Sequence, residues 1–272
     1  MTSGISLVVT DLDGTLWDAD ERVHERTLAA LHELASRQVP VLVATGRRLR
    51  SAAASLHRHR LELPAVLLDG AMGYHLSDGR CFHEACFRPA DAVATLSAFT
   101  TAGLSPAVYV NRPDIDVLVG PEPSTHALHL AHIGDGLGRG DLDQAVASEA
   151  VYAFVVVDGG RAPVAAVAGS LRGAGTATVT HDAYFPGATI TVRPPQTSKW
   201  EGVLAYCREQ RIDPGRVLAV GDGANDVELL HGAAISCVVR DGCDAALALA
   251  DHVIESAGEG GWSSIVEHCR ER

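Results

Sequence analysis

The sequence predicts an α/β fold, a doubly wound parallel sheet interrupted by an inserted α+β unit, and three observations carry that expectation. Short apolar runs alternate with helical patterns from Ile5 to Leu68, which is the pattern of parallel strands joined by crossover helices. The same alternation returns from Ser198 onward. Between about Arg88 and Arg193 the chain changes character, with short strand candidates separated by helical patterns. The expected core is therefore residues 1–84 with 194–272, and the insertion is 85–193.

Ile5 to Thr10 reads as a buried opening strand that runs into Asp11-Leu12-Asp13-Gly14-Thr15. Glu25 to Gln38 follows as a helix, with Leu28, Leu31 and Leu34 at helical spacing. Val39 to Ala44 is a second buried strand, ended by Thr45-Gly46-Arg47, and Ser51 to His59 is an alanine-rich helix. Ala65 to Leu68 is a third strand ending in Asp69-Gly70, and Tyr74 to Phe82 carries Asp78-Gly79 as a hairpin turn. In the insertion, strands are expected at Ala107 to Val110, Asp116 to Val119, Val151 to Val157, Thr176 to Val179 and Ile190 to Val192. Gly134 to Gly140 holds four glycines in seven residues and reads as a mobile loop. After Ser198 come a helix to Gln210, a strand at Val217 to Val220, the loop Gly221 to Asn225 and a helix from Asp226. Strands at Ile235 to Val239 and His252 to Ile254 and a closing helix from Trp262 to Arg270 complete the sheet.

Composition narrows the classes of function. The 272 residues are 47% hydrophobic, enough for a substantial core. Lys and Arg total 22 against 34 Asp and Glu, a net charge of −12. That charge repels nucleic-acid backbones and anionic lipid, so neither nucleic acid nor membrane is expected as a partner. A small phosphorylated substrate is compatible with it, because a local cation overcomes the global field at short range. No apolar run approaches the roughly 20 residues of a membrane-spanning helix, and the N-terminal region lacks a signal-peptide pattern. The six cysteines are scattered without a CxxC pair, which fits reduced thiols and a cytoplasmic location.

Four places could carry chemistry. Asp11 and Asp13 lie one residue apart at the carboxyl end of a strand, where period-2 geometry turns both to one side and where ligands collect in open α/β sheets. Read alone, the pair is first a strand running into an Asp-Gly turn, a common structural feature. Thr45 stands between a strand and a helix, where its hydroxyl and free amide groups could meet an anion or simply cap the helix. Lys199 opens a helix, where the dipole disfavours a cation; a bound phosphate would account for it, as would plain exposure. Gly221-Asp222-Gly223-Ala224-Asn225-Asp226 invites a dinucleotide reading, but Asp226 occupies the last glycine position and two carboxylates repel a pyrophosphate. The same carboxylates suit Mg²⁺.

In combination these residues resemble the haloacid dehalogenase superfamily, and within it the Cof-type phosphatases of subfamily IIB. The resemblance rests on Asp11-Leu12-Asp13-Gly14-Thr15, Ala44-Thr45-Gly46-Arg47, Lys199 and Gly221-Asp222-Gly223-Ala224-Asn225-Asp226, and spans almost the whole chain. It implies a Rossmann-like core with a large α+β (C2) cap inserted after the third strand. It also implies a Mg²⁺-dependent phosphatase that hydrolyses a small phosphorylated metabolite, a sugar or polyol phosphate as first choice, through an aspartyl-phosphate. Asp11 would be the nucleophile and Asp13 the general acid and base. Asp11, the backbone carbonyl of Asp13 and Asp222 would hold the metal, with Asp226 assisting directly or through water. Thr45, Gly46, Lys199 and Asn225 would bind the phosphoryl group.

Two departures bear on the substrate. Similar proteins carry Asn-Gly where this chain has Asp69-Gly70, and a methionine-glycine-asparagine loop where it has Val239-Arg240-Asp241-Gly242. Asp69 and Arg240 are therefore expected in the leaving-group pocket. His126, His129 and His132 rotate apart on a helix and lack a completing ligand, so they read as solvated or capping residues. Tyr109, Asn111 and Arg112 are assigned no role. Two alternatives stay open: a sugar phosphomutase with the same nucleophile, and a catalytically silent phosphosugar-binding regulator. Either a monomer or a homodimer is compatible with the sequence.

Overall fold

In the computed structural model of the chain, which describes residues 4–180 and 187–269, the strands are, in order, β1 (Leu7–Thr10), β2 (Val41–Ala44), β3 (Ala65–Leu67), β4 (Met72–His75), β5 (Arg80–Glu84), β6 (Ala107–Tyr109), β7 (Val117–Val119), β8 (Leu137–Arg139), β9 (Ala153–Gly159), β10 (Thr176–Thr180), β11 (Ala188–Arg193), β12 (Val217–Gly221), β13 (Ile235–Val239) and β14 (His252–Ile254). The α-helices are α1 (Glu25–Ser36), α2 (Leu49–Arg58), α3 (Pro89–Thr101), α4 (Ala127–Ile133), α5 (Leu142–Ser148), α6 (Arg161–Ser170), α7 (Lys199–Gln210), α8 (Val227–Gly232) and α9 (Asp244–Leu247). The chain forms two compact units, residues 1–84 with 198–272, and residues 85–197.

The first unit is built on an eight-stranded sheet in the order β14-β13-β12-β1-β2-β3-β4-β5. Strands β14 to β3 are mutually parallel, and β4 and β5 add an antiparallel hairpin at one edge. β1 is central, and Leu7, Val8 and Val9 have no exposed surface. Burying such a side chain stabilises the fold by about 1.5–3 kcal/mol, which is why continuous apolar runs are found in strands covered on both faces. The strand order reverses between β1 and β12, and such a reversal opens a crevice at the carboxyl ends of the two strands. The fold class expected from the sequence is the one observed.

The closing segment from Gly261 to Cys269 is a 3-10 helix rather than the regular helix expected, and Arg270 lies outside the described residues. Its Trp262 is completely buried and donates its indole N–H to Thr10 Oγ1 at 2.9 Å, while Thr10 Oγ1 donates to the Asp11 carbonyl at 2.7 Å. The end of β1 is thus braced from below.

The second unit has a six-stranded sheet in the order β10-β11-β9-β6-β7-β8, packed on a core that includes Phe87, Phe99 and Phe154. Its strands pair antiparallel except for β7 with β8. The glycine-rich stretch from Gly134 to Gly140 is not the loop that its composition suggested: Leu137–Arg139 is β8. A Cβ on Gly138 would come within 2.7 Å of Ile115 Cδ1, so this glycine serves close packing rather than slack.

Candidate active site

Adjacent strands deliver the first two acids. Asp11 follows β1 and donates its backbone N–H to the Val220 carbonyl of β12 at 2.9 Å, while Asp222 follows β12 itself. Both carboxylates therefore sit at the crevice where the strand order reverses.

Lys199 joins them from α7. Ser198 caps that helix, its hydroxyl accepting from Glu201 N at 3.3 Å, and so sets Lys199 at the first helical position. Lys199 has no exposed surface; its Nζ donates to Asp11 Oδ1 at 2.7 Å and to Asp226 Oδ1 at 2.6 Å. This answers the question the sequence left open, because two carboxylates outweigh the unfavourable helix dipole. Burial alone would lower the Lys199 pKa, but Asp11 and Asp226 raise it well above that of an ordinary lysine.

Asp226 is also fully buried, and its Oδ2 accepts from the backbone N–H groups of Asp222 at 3.0 Å and Gly223 at 2.9 Å. Both of its oxygens are committed, so it folds the loop from Gly221 to Asp226 back upon itself. Thr15 Oγ1 donates to Asp222 Oδ1 at 2.7 Å. Gly14 makes this approach feasible: its φ is +78°, and a Cβ there would lie 2.9 Å from Asp222 Oδ2.

Thr45 is buried at the end of β2, and its Oγ1 accepts from Arg47 N at 3.2 Å. It caps a turn and not the helix, since α2 begins at Leu49 after Arg48. Asp69 has a left-handed backbone at φ 52°, donates its N–H to the Thr45 carbonyl at 3.1 Å and accepts from Asn225 Nδ2 at 2.8 Å. Gly46 packs beside that carboxylate. At Gly70, φ is +108° and a Cβ would lie 2.0 Å from the Ser198 carbonyl, so only glycine lets this turn pass under the start of α7.

Asp13 takes a different path from Asp11. Its half-exposed carboxylate accepts from Arg47 Nε at 2.7 Å, from Arg47 Nη2 at 2.5 Å and from Trp17 Nε1 at 2.9 Å. The structure thus brings together Asp11, Thr45, Gly46, Asp69, Lys199, Asp222, Asn225 and Asp226, with Asp13 one residue away on its own arginine. Arg240 is committed elsewhere, to Glu255 and Glu259 on the surface. Trp17 and Arg47 went unrecognised in the sequence as partners of Asp13, although both lie in or beside the quoted motifs. In the second unit His126 caps α4, accepting from Leu128 N at 3.2 Å, and Arg112 pairs with Glu149.

The cluster carries more negative than positive charge. Burial raises the Asp11 pKa well above the carboxylate range; Lys199 opposes the rise, and Asp226 and Asp222 add to it. Burial likewise pushes Asp222 up to about 6, against the hydrogen bond from Thr15. Oxygens of Asp11, Asp222 and Asp226 lie within 4.8 Å of one another. A set of hard carboxylate oxygens with a deficit of positive charge suits a divalent cation of the Mg²⁺ type.

Comparison with known proteins finds a matching family and relatives along most of the chain. The family model for haloacid dehalogenase-like hydrolases matches residues 8–114 and 180–265. Over 259 residues the chain is 27% identical to the phosphoglycolate phosphatase of Methanopyrus kandleri, covering 94% of this chain and 93% of that protein. It is 24% identical over 260 residues to YitU of Bacillus subtilis, named 5-amino-6-(5-phospho-D-ribitylamino)uracil phosphatase, covering 94% of each chain. A solved phosphatase of the HAD superfamily from Bacteroides thetaiotaomicron shares the fold, with a TM-score of 0.80 at 19% identity over 97% of this chain and 95% of that one.

Proposed function

Because the chain belongs to the haloacid dehalogenase-like hydrolases, we propose that it is a Mg²⁺-dependent phosphatase that cleaves small phosphate monoesters through an aspartyl-phosphate on Asp11. The observation that carries this reading is the buried arrangement of Lys199 between Asp11 and Asp226, with Asp222 alongside. Lys199 holds Asp11 Oδ1, which leaves Oδ2 to attack phosphorus. As that bond forms, the bond from phosphorus to the ester oxygen breaks, and the Asp13 carboxyl gives its proton to the departing alkoxide. Asp13 then takes a proton from the water that attacks the same phosphorus. The bond to Asp11 breaks, inorganic phosphate leaves, and both acids return to their starting states.

Thr45, Gly46, Lys199 and Asn225 are assigned to the phosphoryl oxygens, which they would hold in line for attack. Asp11, the Asp13 backbone carbonyl and Asp222 would hold the metal, and Asp226 would support it from behind through the loop it ties. Bound there, Mg²⁺ would supply the positive charge that offsets the repulsion between an anionic nucleophile and an anionic phosphoryl group. The inserted unit is assigned the choice of leaving group. Relatives named for phosphoglycolate and for a ribityl phosphate support small phosphorylated acids and polyols as the substrate class, with sugar phosphates beside them.

Incubating the purified protein and Mg²⁺ with a panel of phosphorylated metabolites in isotopically labelled water tests the reading. Labelled inorganic phosphate is expected. An isomerised sugar phosphate without free phosphate would make the protein a mutase, and no reaction with any ester would leave a binding protein.

A second measurement reads the metal site. An acid whose folded pKa lies above its unfolded value contributes stability that is complete below the unfolded pKa and is lost as the pH rises through the folded one. For Asp222 that loss runs from the ordinary carboxylate range up to about 6 in the metal-free protein. A divalent cation reverses the loss by pairing with the ionised carboxylate, so Mg²⁺ should raise Tm clearly at about pH 7.5 and little at about pH 5. Equal shifts at both pH values would exclude Asp222 as a ligand.

A further inference from the structure

Resting on the assignment of Asp13 as the general acid and base, we propose that Glu21 is a positioning residue that seats Arg47 against Asp13 and so sets the geometry of proton transfer. Glu21 lies in the loop between β1 and α1, outside every motif described above. Its Oε1 stands 2.6 Å from Arg47 Nη2. Its Oε2 accepts from Ser55 Oγ at 3.0 Å and from Arg58 Nη2 at 2.8 Å, both residues on α2.

These contacts hold the Arg47 guanidinium on every side. One edge serves Asp13; Nη1 donates to Ser55 Oγ at 2.8 Å; Glu21 takes the remaining reach of Nη2; and the ring of fully buried Trp17 lies 5.1 Å from Cζ. Arginine presents a rigid planar fork, so fixing its far edge fixes the direction of its near edge. Asp13 needs this support, because its side chain is 52% exposed. A half-exposed aspartate samples several rotamers, and a displacement of about 1 Å in a catalytic group costs orders of magnitude in rate.

The backbone points the same way. Glu21 has φ 56°, in the left-handed region that glycine enters without strain. A glutamate in that conformation projects its carboxylate toward Arg47 from a turn that glycine would make more readily. Burial tends to raise the Glu21 pKa, but the bonds from Arg47, Ser55 and Arg58 lower it overall, so the anion that holds the arginine persists at neutral pH.

The test separates positioning of the acid from general damage through the leaving group. A poor leaving group, as in an alkyl phosphate, needs the proton from Asp13, whereas para-nitrophenolate leaves without it. Glu21→Gln should lower kcat/KM about tenfold for the best alkyl phosphate of the panel and leave para-nitrophenyl phosphate within about twofold. Arg47→Lys, which keeps the cation but loses the fork, should give the same selective loss. Glu21→Gln added to Arg47→Ala should change nothing further. Glu21→Asp should recover part of the alkyl rate, since it keeps the anion.

Asp13→Asn is the reference and should show the selective loss in its strongest form. If Asp13→Asn is selective while Glu21→Gln at unchanged Tm lowers both esters equally, or neither, the role of Glu21 is overturned and that of Asp13 stands. If Asp13→Asn itself shows no selectivity, the assignment of Asp13 is wrong and the role of Glu21 falls with it.

Discussion

If Asp11 is the nucleophile proposed above, Asp11→Asn is expected to remove turnover of every phosphate ester, by roughly a thousandfold or more, because no other group replaces a covalent nucleophile. The fold should survive the change. Burial among Asp226 and Asp222 raises the Asp11 pKa well above the usual range, so its negative charge opposes folding in the metal-free protein. A neutral amide of the same shape removes that opposition. The metal-free variant should therefore melt at or above the temperature of the unsubstituted protein while releasing no phosphate. Steady-state phosphate release together with a thermal melt measures both, and substantial residual turnover would rule out Asp11 as the nucleophile.

Lys199→Met should cost both activity and stability. The lysine has no exposed surface and is the cation between Asp11 and Asp226, so its removal leaves two buried carboxylates facing each other. Breaking such a pair by deleting one partner typically costs about 3–5 kcal/mol. Adding Asp226→Asn to Lys199→Met should restore part of the loss, since it removes one of the stranded charges. Urea unfolding of the two variants measures the difference. A loss below about 1 kcal/mol for Lys199→Met would mean that protonation or solvent relieves the site, and that the lysine is not central to its electrostatics.

The alternation of apolar runs with helical patterns was legible from the start, because a strand buried on both faces must be apolar throughout and leaves that mark in local sequence. The strand at Ile235–Val239 and the strand at His252–Ile254 begin and end where the sequence placed them. β8 was hidden, since glycine density normally signals a turn and the need for Gly138 lies in Ile115, a residue remote in sequence. The closing segment reads in sequence as an ordinary helix, because its apolar spacing does not distinguish a regular helix from a 3-10 helix.

The site divides along the same line. Asp11, Asp222 and the loop to Asp226 could be proposed from sequence, because phosphoryl chemistry with a metal asks for those residue types at strand ends and the resemblance implies their order. The tertiary structure alone decided which groups meet. It turned Lys199 inward, made Asp69 a partner of Asn225, drew Arg240 away to Glu255 and Glu259, set Arg47 on Asp13 and set Glu21 on Arg47. The physical reason is range. Strand ends and turns are specified by neighbouring residues, whereas the pairing of a charged side chain depends on which other charges the folded sheet brings within about 4 Å of it.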